Sequence, residues 1–109
     1  MNILELILSG SLSWGCSGVL SAYDMAGAAK LYQANCVICH GESGEGNGPA
    51  GQYMNPRPRN FTKDKFIRGD KPDEIAETIR TGFNQMPPFG NLSPEDRINL
   101  ANYIKGFRK

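Results

Sequence analysis

Apolar positions recur at helical spacing in three segments of the chain, and no segment shows the alternation that is typical of a strand. The first segment begins at Asp24, whose side chain suits a helix N-cap, and continues through several alanines and Leu31 to Cys36. The second predicted helix covers 72–81, with a proline in its first turn and Gly82 as its terminator.

The third predicted helix lies near the end of the sequence. Ser93 is a suitable N-cap, Pro94 suits the first turn, and the two acidic residues that follow favour the positive end of the helix dipole. We expect Arg108 and Lys109 to close this helix on the favourable side of its dipole. Its apolar stripe is Ile98, Leu100, Ala101, Tyr103 and Ile104. The fold class predicted from these patterns is all-α, with three main helices joined by long irregular loops.

Residues 41–60 form the longest segment without any periodicity. Five glycines and three prolines interrupt it, which predicts a loop of roughly 20 residues. A loop of that length inside a compact domain usually serves a function or surrounds a ligand. A glycine-rich phosphate cradle is a weak alternative, because no strand precedes the loop and no helix follows it.

Composition indicates a small domain that needs help to form its interior. A length of 109 residues allows one domain, and a hydrophobic fraction of 39% indicates a thin core that a cofactor could complete. The 12 basic and 11 acidic residues give a net charge of +1. This balance gives no support for nucleic-acid binding, so we expect no nucleic-acid partner.

Residues 1–22 differ from the rest, with a single charged residue, Glu5, among mostly apolar and small side chains. We interpret them as a signal peptide or an N-terminal anchor, which predicts a periplasmic or otherwise extracytoplasmic domain over 23–109. The sequence before Cys16 also resembles a lipoprotein signal, so lipid attachment there is an alternative. A misassigned start codon or an uncleaved tail is the remaining interpretation.

The motif that carries chemistry is Cys36-Val37-Ile38-Cys39-His40. Two thiols at this spacing can each add to one vinyl group of a haem, and the adjacent imidazole can then bind the iron. A redox dithiol would be expected near a βαβ pattern, which is missing here, and a structural zinc needs four protein ligands. His40 is the only histidine and no second cysteine pair exists, so covalent haem attachment is the favoured interpretation.

A second axial ligand for the iron cannot be another histidine of this chain. The thioethers of Met25, Met54 and Met86 remain as candidates. Met86 is the best placed, because it lies between two predicted helices and Pro87 biases it toward an extended backbone. Met54, in the glycine-rich loop, is its rival, and we expect Met25 to serve packing or to lie at the surface.

Together these features resemble a class I cytochrome c, a small protein with one haem. The resemblance runs from about Met25 to Lys109 and rests on four motifs, which stand in the order typical of that family. They are Cys36-Val37-Ile38-Cys39-His40-Gly41, Gly48-Pro49-Ala50, Met86-Pro87-Pro88-Phe89 and Leu100-Ala101-Asn102-Tyr103-Ile104. The resemblance implies the cytochrome c fold around one covalently bound haem c.

The resemblance also implies particular contacts. The backbone carbonyl of Pro49 is expected to accept a hydrogen bond from His40, which would fix the imidazole tautomer. The first and last helices are expected to cross near the haem, so that Tyr32 meets Leu100 and Tyr103.

Two further stretches, 44–50 and 56–61, are similar to one bacterial branch of the family. Members of that branch occur as free periplasmic carriers and as domains or subunits of membrane oxidoreductases. Arg57 and Arg59 are candidate partners for the haem propionates, because a guanidinium fork matches a carboxylate.

The expected function is one-electron transfer between periplasmic or membrane redox proteins by a monomeric carrier that is not itself an enzyme. A haem subunit within an oxidoreductase complex is the alternative. An enzyme or gas sensor with an open iron is a third hypothesis, and it requires that Met86 be absent from the iron or easily displaced.

Overall fold

A computed structural model describes residues 24–109 of the chain. The described part is helical, and its only β-type pairing is an isolated bridge between Phe83 and Met86. The elements are α1 (Met25–Asn35), α2 (Val37–His40), a 3₁₀ turn (Gly51–Tyr53), α3 (Pro72–Thr81) and α4 (Pro94–Lys105). The three long helices confirm the predicted all-α architecture, and the predicted signal segment and Cys16 lie outside the described residues.

The helix starts follow from side chains that satisfy free backbone N–H groups. Asp24 accepts a hydrogen bond from the Gly27 N–H at 2.8 Å, and Ser93 accepts one from the Asp96 N–H at 3.0 Å. These contacts confirm both predicted N-caps. Helix α1 is separated from α2 by Cys36 alone, so the first long helix leads directly into the motif that carries the chemistry.

The end of α4 differs from the prediction. The helix ends at Lys105 rather than at Arg108 and Lys109. The chain turns at Gly106, after which the ring of Phe107 lies 5.3 Å from the Tyr32 ring, measured between centroids. Packing of this partly buried aromatic ring against the core outweighs the small gain from another helical turn.

Helices α1 and α4 cross at the centre of the core. Tyr32 and Leu100 are both 0% exposed, and the rings of Tyr32 and Tyr103 have centroids 5.3 Å apart. The predicted contact of Tyr32 with Tyr103 is therefore present, and Tyr32 and Leu100 belong to the same apolar cluster. Ala28, one turn before Tyr32, is also buried, so the crossing accommodates a β-carbon at this position.

Helix α3 packs against α4 and completes the cluster with Ile75, Ala76 and Ile79, which lie on one face of the helix. Each is less than 9% exposed. Within residues 24–109, no helix has the length and hydropathy needed to cross a membrane.

Candidate functional site

A largely apolar cleft of about 290 Å³ lies between the cysteine motif, the loop after it and the segment that joins α3 to α4. It brings together most of the site residues predicted from sequence. Those that line it are Cys36, Cys39, His40, Arg57, Arg59 and Met86, together with Met54. Pro49 is exposed and does not line the cleft.

The two cysteines are partly buried free thiols on the cleft wall. Burial, and to a smaller extent the neighbouring Cys39, raises the pKa of Cys36 to about 11. A redox dithiol acts through a thiolate whose pKa is lowered. The raised pKa of Cys36 does not favour dithiol chemistry at this pair.

His40 ends helix α2 and is 8% exposed. Its Nδ1 lies 3.1 Å from the backbone carbonyl oxygen of Arg59, which can only accept a hydrogen bond, so Nδ1 is the nitrogen that carries the proton. Burial lowers the pKa of His40, although the bond to Arg59 opposes this effect. A neutral imidazole protonated at Nδ1 has a free lone pair on Nε2, as a metal ligand requires.

The backbone carbonyl that accepts the hydrogen bond from His40 belongs to Arg59. The resemblance implied Pro49 in this role, so that expectation is wrong. The Pro49 carbonyl instead lies 3.5 Å from the side-chain amide of Gln52, at the start of the 3₁₀ turn. The loop after the cysteine motif passes through the 3₁₀ turn before it returns to the imidazole. The acceptor is consequently supplied later in the chain than the resemblance implies.

Residues 59–64 form a compact turn, here named the histidine clamp, that fixes this acceptor. The Asn60 side chain accepts a hydrogen bond from the Thr62 N–H at 2.9 Å, and the Asp64 carboxylate accepts one from the Asn60 N–H at 2.9 Å. The Phe61 N–H donates to the Gly44 carbonyl at 2.6 Å. The histidine clamp is therefore hydrogen-bonded to the loop that follows the cysteine motif.

Phe61 contributes a second contact to the imidazole. Its ring is 6% exposed and stacks on His40 with centroids 4.3 Å apart. The sequence reasoning missed this contact. The Asn-Phe-Thr sequence after Arg59 does contain a local signal, because an asparagine often bonds the backbone two residues ahead and forms a tight turn.

Met86 is held from two sides. Phe83 and Met86 exchange two backbone hydrogen bonds, of 3.1 and 2.9 Å, which close a narrow turn. Gly82 begins this turn with φ of +76°, and a β-carbon there would lie 2.5 Å from the Met86 carbonyl oxygen. The Met86 side chain packs against the core cluster and also lines a small inner recess beside His40.

The rival methionines are placed differently. Met54 follows the 3₁₀ turn and lines the cleft, but it does not pack against the core cluster or reach the inner recess. Met25 is 39% exposed at the start of α1 and lies outside the cleft. Of these three methionines, Met86 is thus the one whose backbone is held by a hydrogen-bonded turn and whose side chain packs against the core beside His40.

Arg57 and Arg59 lie on the same wall, the first exposed and the second half-buried. Among residues 24–109, the single ion pair joins Glu77 and Arg80, so neither arginine is committed to a carboxylate of the described chain. Both guanidinium groups are available to an anionic group bound in the cleft.

The residues of the cleft fit a covalently attached haem. Two free thiols could form thioether bonds, the Nε2 lone pair of His40 could bind iron, and Met86 provides a soft second donor beside it. An apolar wall and two arginines suit a porphyrin that carries propionates.

The sequence profile of the family described as "Cytochrome C oxidase, cbb3-type, subunit III" matches residues 24–104. The chain belongs to this family. A relative from Sinorhizobium medicae, the "Cbb3-type cytochrome c oxidase subunit FixP", is 32% identical over 96 residues, which cover 78% of this chain and 30% of that protein. This cytochrome thus spans about 30% of the length of the FixP proteins that it matches.

Smaller cytochromes are also similar to it. Cytochrome c6 from Synechococcus sp. is 31% identical over 105 residues, which cover 95% of this chain and 88% of that protein. The solved structure of the KustC0563 c-type cytochrome has a TM-score of 0.60 and 28% identity, and the match covers 75% of this chain and 98% of that one. The fold is the all-α cytochrome c fold, and the cofactor of the family is covalently bound haem c with its iron.

Proposed function

We propose that this protein is a one-electron carrier whose covalently bound haem c is held by Cys36 and Cys39 and has His40 and Met86 as axial ligands. The observation that carries the proposal is that a single cleft is lined by both thiols, the imidazole and the Met86 thioether. The cytochrome c relatives of similar length support the same function.

When bound, the haem supplies an iron that accepts and releases one electron. The chain's own residues set the conditions for this exchange. Arg59 accepts the hydrogen bond that holds His40 in one tautomer and makes its imidazole a stronger donor. The soft sulfur of Met86 raises the reduction potential relative to other axial pairs. With both axial positions taken, external ligands are excluded from the iron.

Arg57 and Arg59 are the proposed partners of the haem propionates, because both guanidinium groups line the cleft. Pairing with cations would stabilise two carboxylates next to an apolar wall. Removal of one arginine should leave the haem covalently attached and change the reduction potential.

The protein is proposed to work outside the cytoplasm as a monomer, after removal or retention of residues 1–22 as a signal or anchor and with the domain over 23–109. Haem attachment to two cysteines and the pattern of the first residues both support export. Redox proteins of the periplasm or the membrane would be its partners.

Absorption spectra of the purified full chain in both redox states test the proposal. We expect the spectrum of a c-type haem with both axial positions filled, and a haem that stays attached in acidified acetone. Carbon monoxide should not bind the reduced protein at neutral pH. A colourless protein, an extractable haem or ready carbon monoxide binding would contradict it, and the last result would favour an enzyme or gas sensor with an open iron.

A haem subunit of a larger oxidoreductase is the second candidate, favoured by the match to one part of the longer FixP oxidase subunits. Gel filtration of the protein isolated gently from its own cells separates the two. A carrier should elute near its chain mass of 11.9 kDa, whereas a subunit should elute with a larger enzyme.

A further inference from the structure

The segment that joins α3 to α4 carries Met86 and contains no helix of its own. We call residues 82–92 the methionine strap. Its first half is closed by the two backbone hydrogen bonds between Phe83 and Met86. The second half has no such bridge, so its position depends on contacts with the helices on either side.

Two side chains from the second half of the strap enter the interior beside Met86. Phe89 and Leu92 are partly buried, pack against the core cluster and line the same inner recess as Met86 and His40. The Phe89 N–H donates a hydrogen bond of 2.8 Å to the Ile79 carbonyl, which joins the strap to α3. A shift of the second half would therefore change the apolar recess in which the thioether lies.

Arg97 holds the second half of the strap from the side of α4. Its Nη1 donates a hydrogen bond to the Leu92 carbonyl oxygen and a longer one, of 3.4 Å, to the Gly90 carbonyl oxygen. Within residues 24–109, no backbone N–H donates to either carbonyl, so the guanidinium is the donor that serves both. One side chain thus ties two points of the strap to the start of the last helix.

Other roles account for Arg97 less well. It lies in the first turn of α4, where the helix dipole favours an anion over a cation. The single ion pair of the described residues joins Glu77 and Arg80, so no carboxylate there holds the Arg97 guanidinium. Its side chain is half-buried rather than fully solvated. A cation at this position is explained by the two carbonyl oxygens that it binds.

We propose that Arg97 is a positioning residue for Met86, which keeps the thioether at the iron by holding the second half of the methionine strap. The inference rests on the proposed ligation by Met86 and adds the residue that maintains it. Hydrogen bonds from a charged donor are stronger than those from a neutral one. Without the guanidinium the strap should open more often, and each opening would leave the axial position free for an external ligand.

The rate at which free imidazole binds the oxidised, full-length holoprotein measures how often the thioether leaves. Arg97→Leu keeps an apolar side chain but removes every donor, and it should raise this rate about tenfold or more. Both hydrogen bonds come from one nitrogen, so the ammonium of Arg97→Lys can replace it and should keep the rate within about threefold of the parent value. Arg80→Leu is the matched control, because it removes an arginine of α3 that is paired with Glu77, and its rate should equal that of the parent.

Hydrogen exchange of the Phe89 amide reports on the strap independently of ligand binding. This N–H bonds the Ile79 carbonyl, so its exchange should become faster in Arg97→Leu and stay unchanged in Arg80→Leu. Tyr32→Phe separates local opening from a general loss of stability, because it removes a buried hydrogen bond to Gly41, outside the strap. Denaturant titration should show a less stable protein, whereas free imidazole should bind it at the parent rate.

Binding of free imidazole to Arg97→Leu at the parent rate, or equal increases in Arg97→Leu and Tyr32→Phe, would overturn the proposal. The ferric parent would then still show the long-wavelength absorption band of a thioether ligand, which upholds Met86 at the iron. A parent that lacks this band and binds free imidazole at once would contradict the proposed ligation instead. Arg97→Gln, with one shorter amide donor, should give an intermediate rate, and it replaces Arg97→Leu in the comparison if that variant does not fold.

Discussion

The ring of Phe61 stacks on the imidazole of His40, with 4.3 Å between ring centroids and 19° between ring planes. Arg59, two residues earlier, supplies the carbonyl oxygen that accepts from Nδ1 of the same imidazole. The histidine clamp therefore fixes both the ring plane of His40, the proposed iron ligand, and the hydrogen bond of its Nδ1. Because the turn is itself fixed by Asp64 and Gly44, the imidazole has little freedom to rotate.

Phe61→Leu tests whether the stack orients His40. Leucine keeps an apolar side chain in the core but removes the aromatic face, so the unfolding free energy should fall by about 1 kcal/mol. The haem should stay covalently attached, while the paramagnetic NMR shifts of its methyl groups should change with the imidazole plane. Phe89→Leu is the matched control, because Phe89 also lines the cleft and is partly buried but stacks on neither His40 nor Phe61. Methyl shifts that respond equally to both variants would contradict an orienting role for Phe61.

Met86→Ala and Met54→Ala distinguish the two thioethers that line the cleft. Met86→Ala should keep the haem attached, lower the reduction potential and let carbon monoxide bind the reduced protein, because a soft axial donor is lost. Met54→Ala should leave both properties close to those of the parent. Redox titration and carbon monoxide difference spectra measure the outcome. The reverse pattern would transfer the ligand role to Met54.

Gly82→Ala tests the geometry of the turn that presents Met86. Gly82 has φ of +76° and ψ of 177°, a region in which almost only glycine is found. Its new β-carbon would also lie 2.5 Å from the Met86 carbonyl oxygen. We expect the unfolding free energy to fall by about 1–3 kcal/mol and carbon monoxide binding to appear.

Gly90→Ala is the control for this effect. A β-carbon at Gly90 would meet nothing nearer than the Arg80 carbonyl oxygen at 3.7 Å, and its φ is not positive. Denaturant titration should therefore give nearly the parent value. Similar losses in Gly82→Ala and Gly90→Ala would indicate a general sensitivity of the loop rather than a specific need at Gly82.

Tyr32→Phe tests the attachment of α1 to the chain just after His40. The Tyr32 hydroxyl donates a buried hydrogen bond of 2.7 Å to the Gly41 carbonyl, and burial raises the pKa of Tyr32, so the group stays protonated. Its removal should lower the unfolding free energy by about 1 kcal/mol, because one buried hydrogen bond is lost while the Gly41 carbonyl still accepts from the Gly44 N–H. Tyr53→Phe, at a residue 84% exposed, should have almost no effect in the same denaturant titration.

Local chemistry explains which parts of the fold were predictable. The starts of α1 and α4 follow from Asp24 and Ser93, since each side chain bonds its own helix. The range of α3 was predicted fully, because a proline and Gly82 mark its ends. The cysteine motif was recognisable in the sequence because haem attachment requires two cysteines separated by two residues and followed by a histidine.

The contacts that were missed depend on how the loops return to the core. The acceptor for His40 was expected at Pro49 but is Arg59, and nothing in the local sequence states where a loop of about 20 residues comes back. The stacking of Phe61 on His40 and the hydrogen bond from the Lys109 N–H to Thr62 are likewise long-range contacts.

The early end of α4 has a consequence for how this protein should be handled. After Gly106 the chain leaves the helix, so Phe107 lies against Phe61 and the Lys109 N–H bonds to Thr62. These contacts support the histidine clamp, although residues 106–109 do not themselves line the cleft. Trimming them, or crowding them with an affinity tag, would disturb the colour and redox behaviour of a centre almost 70 positions away in the sequence.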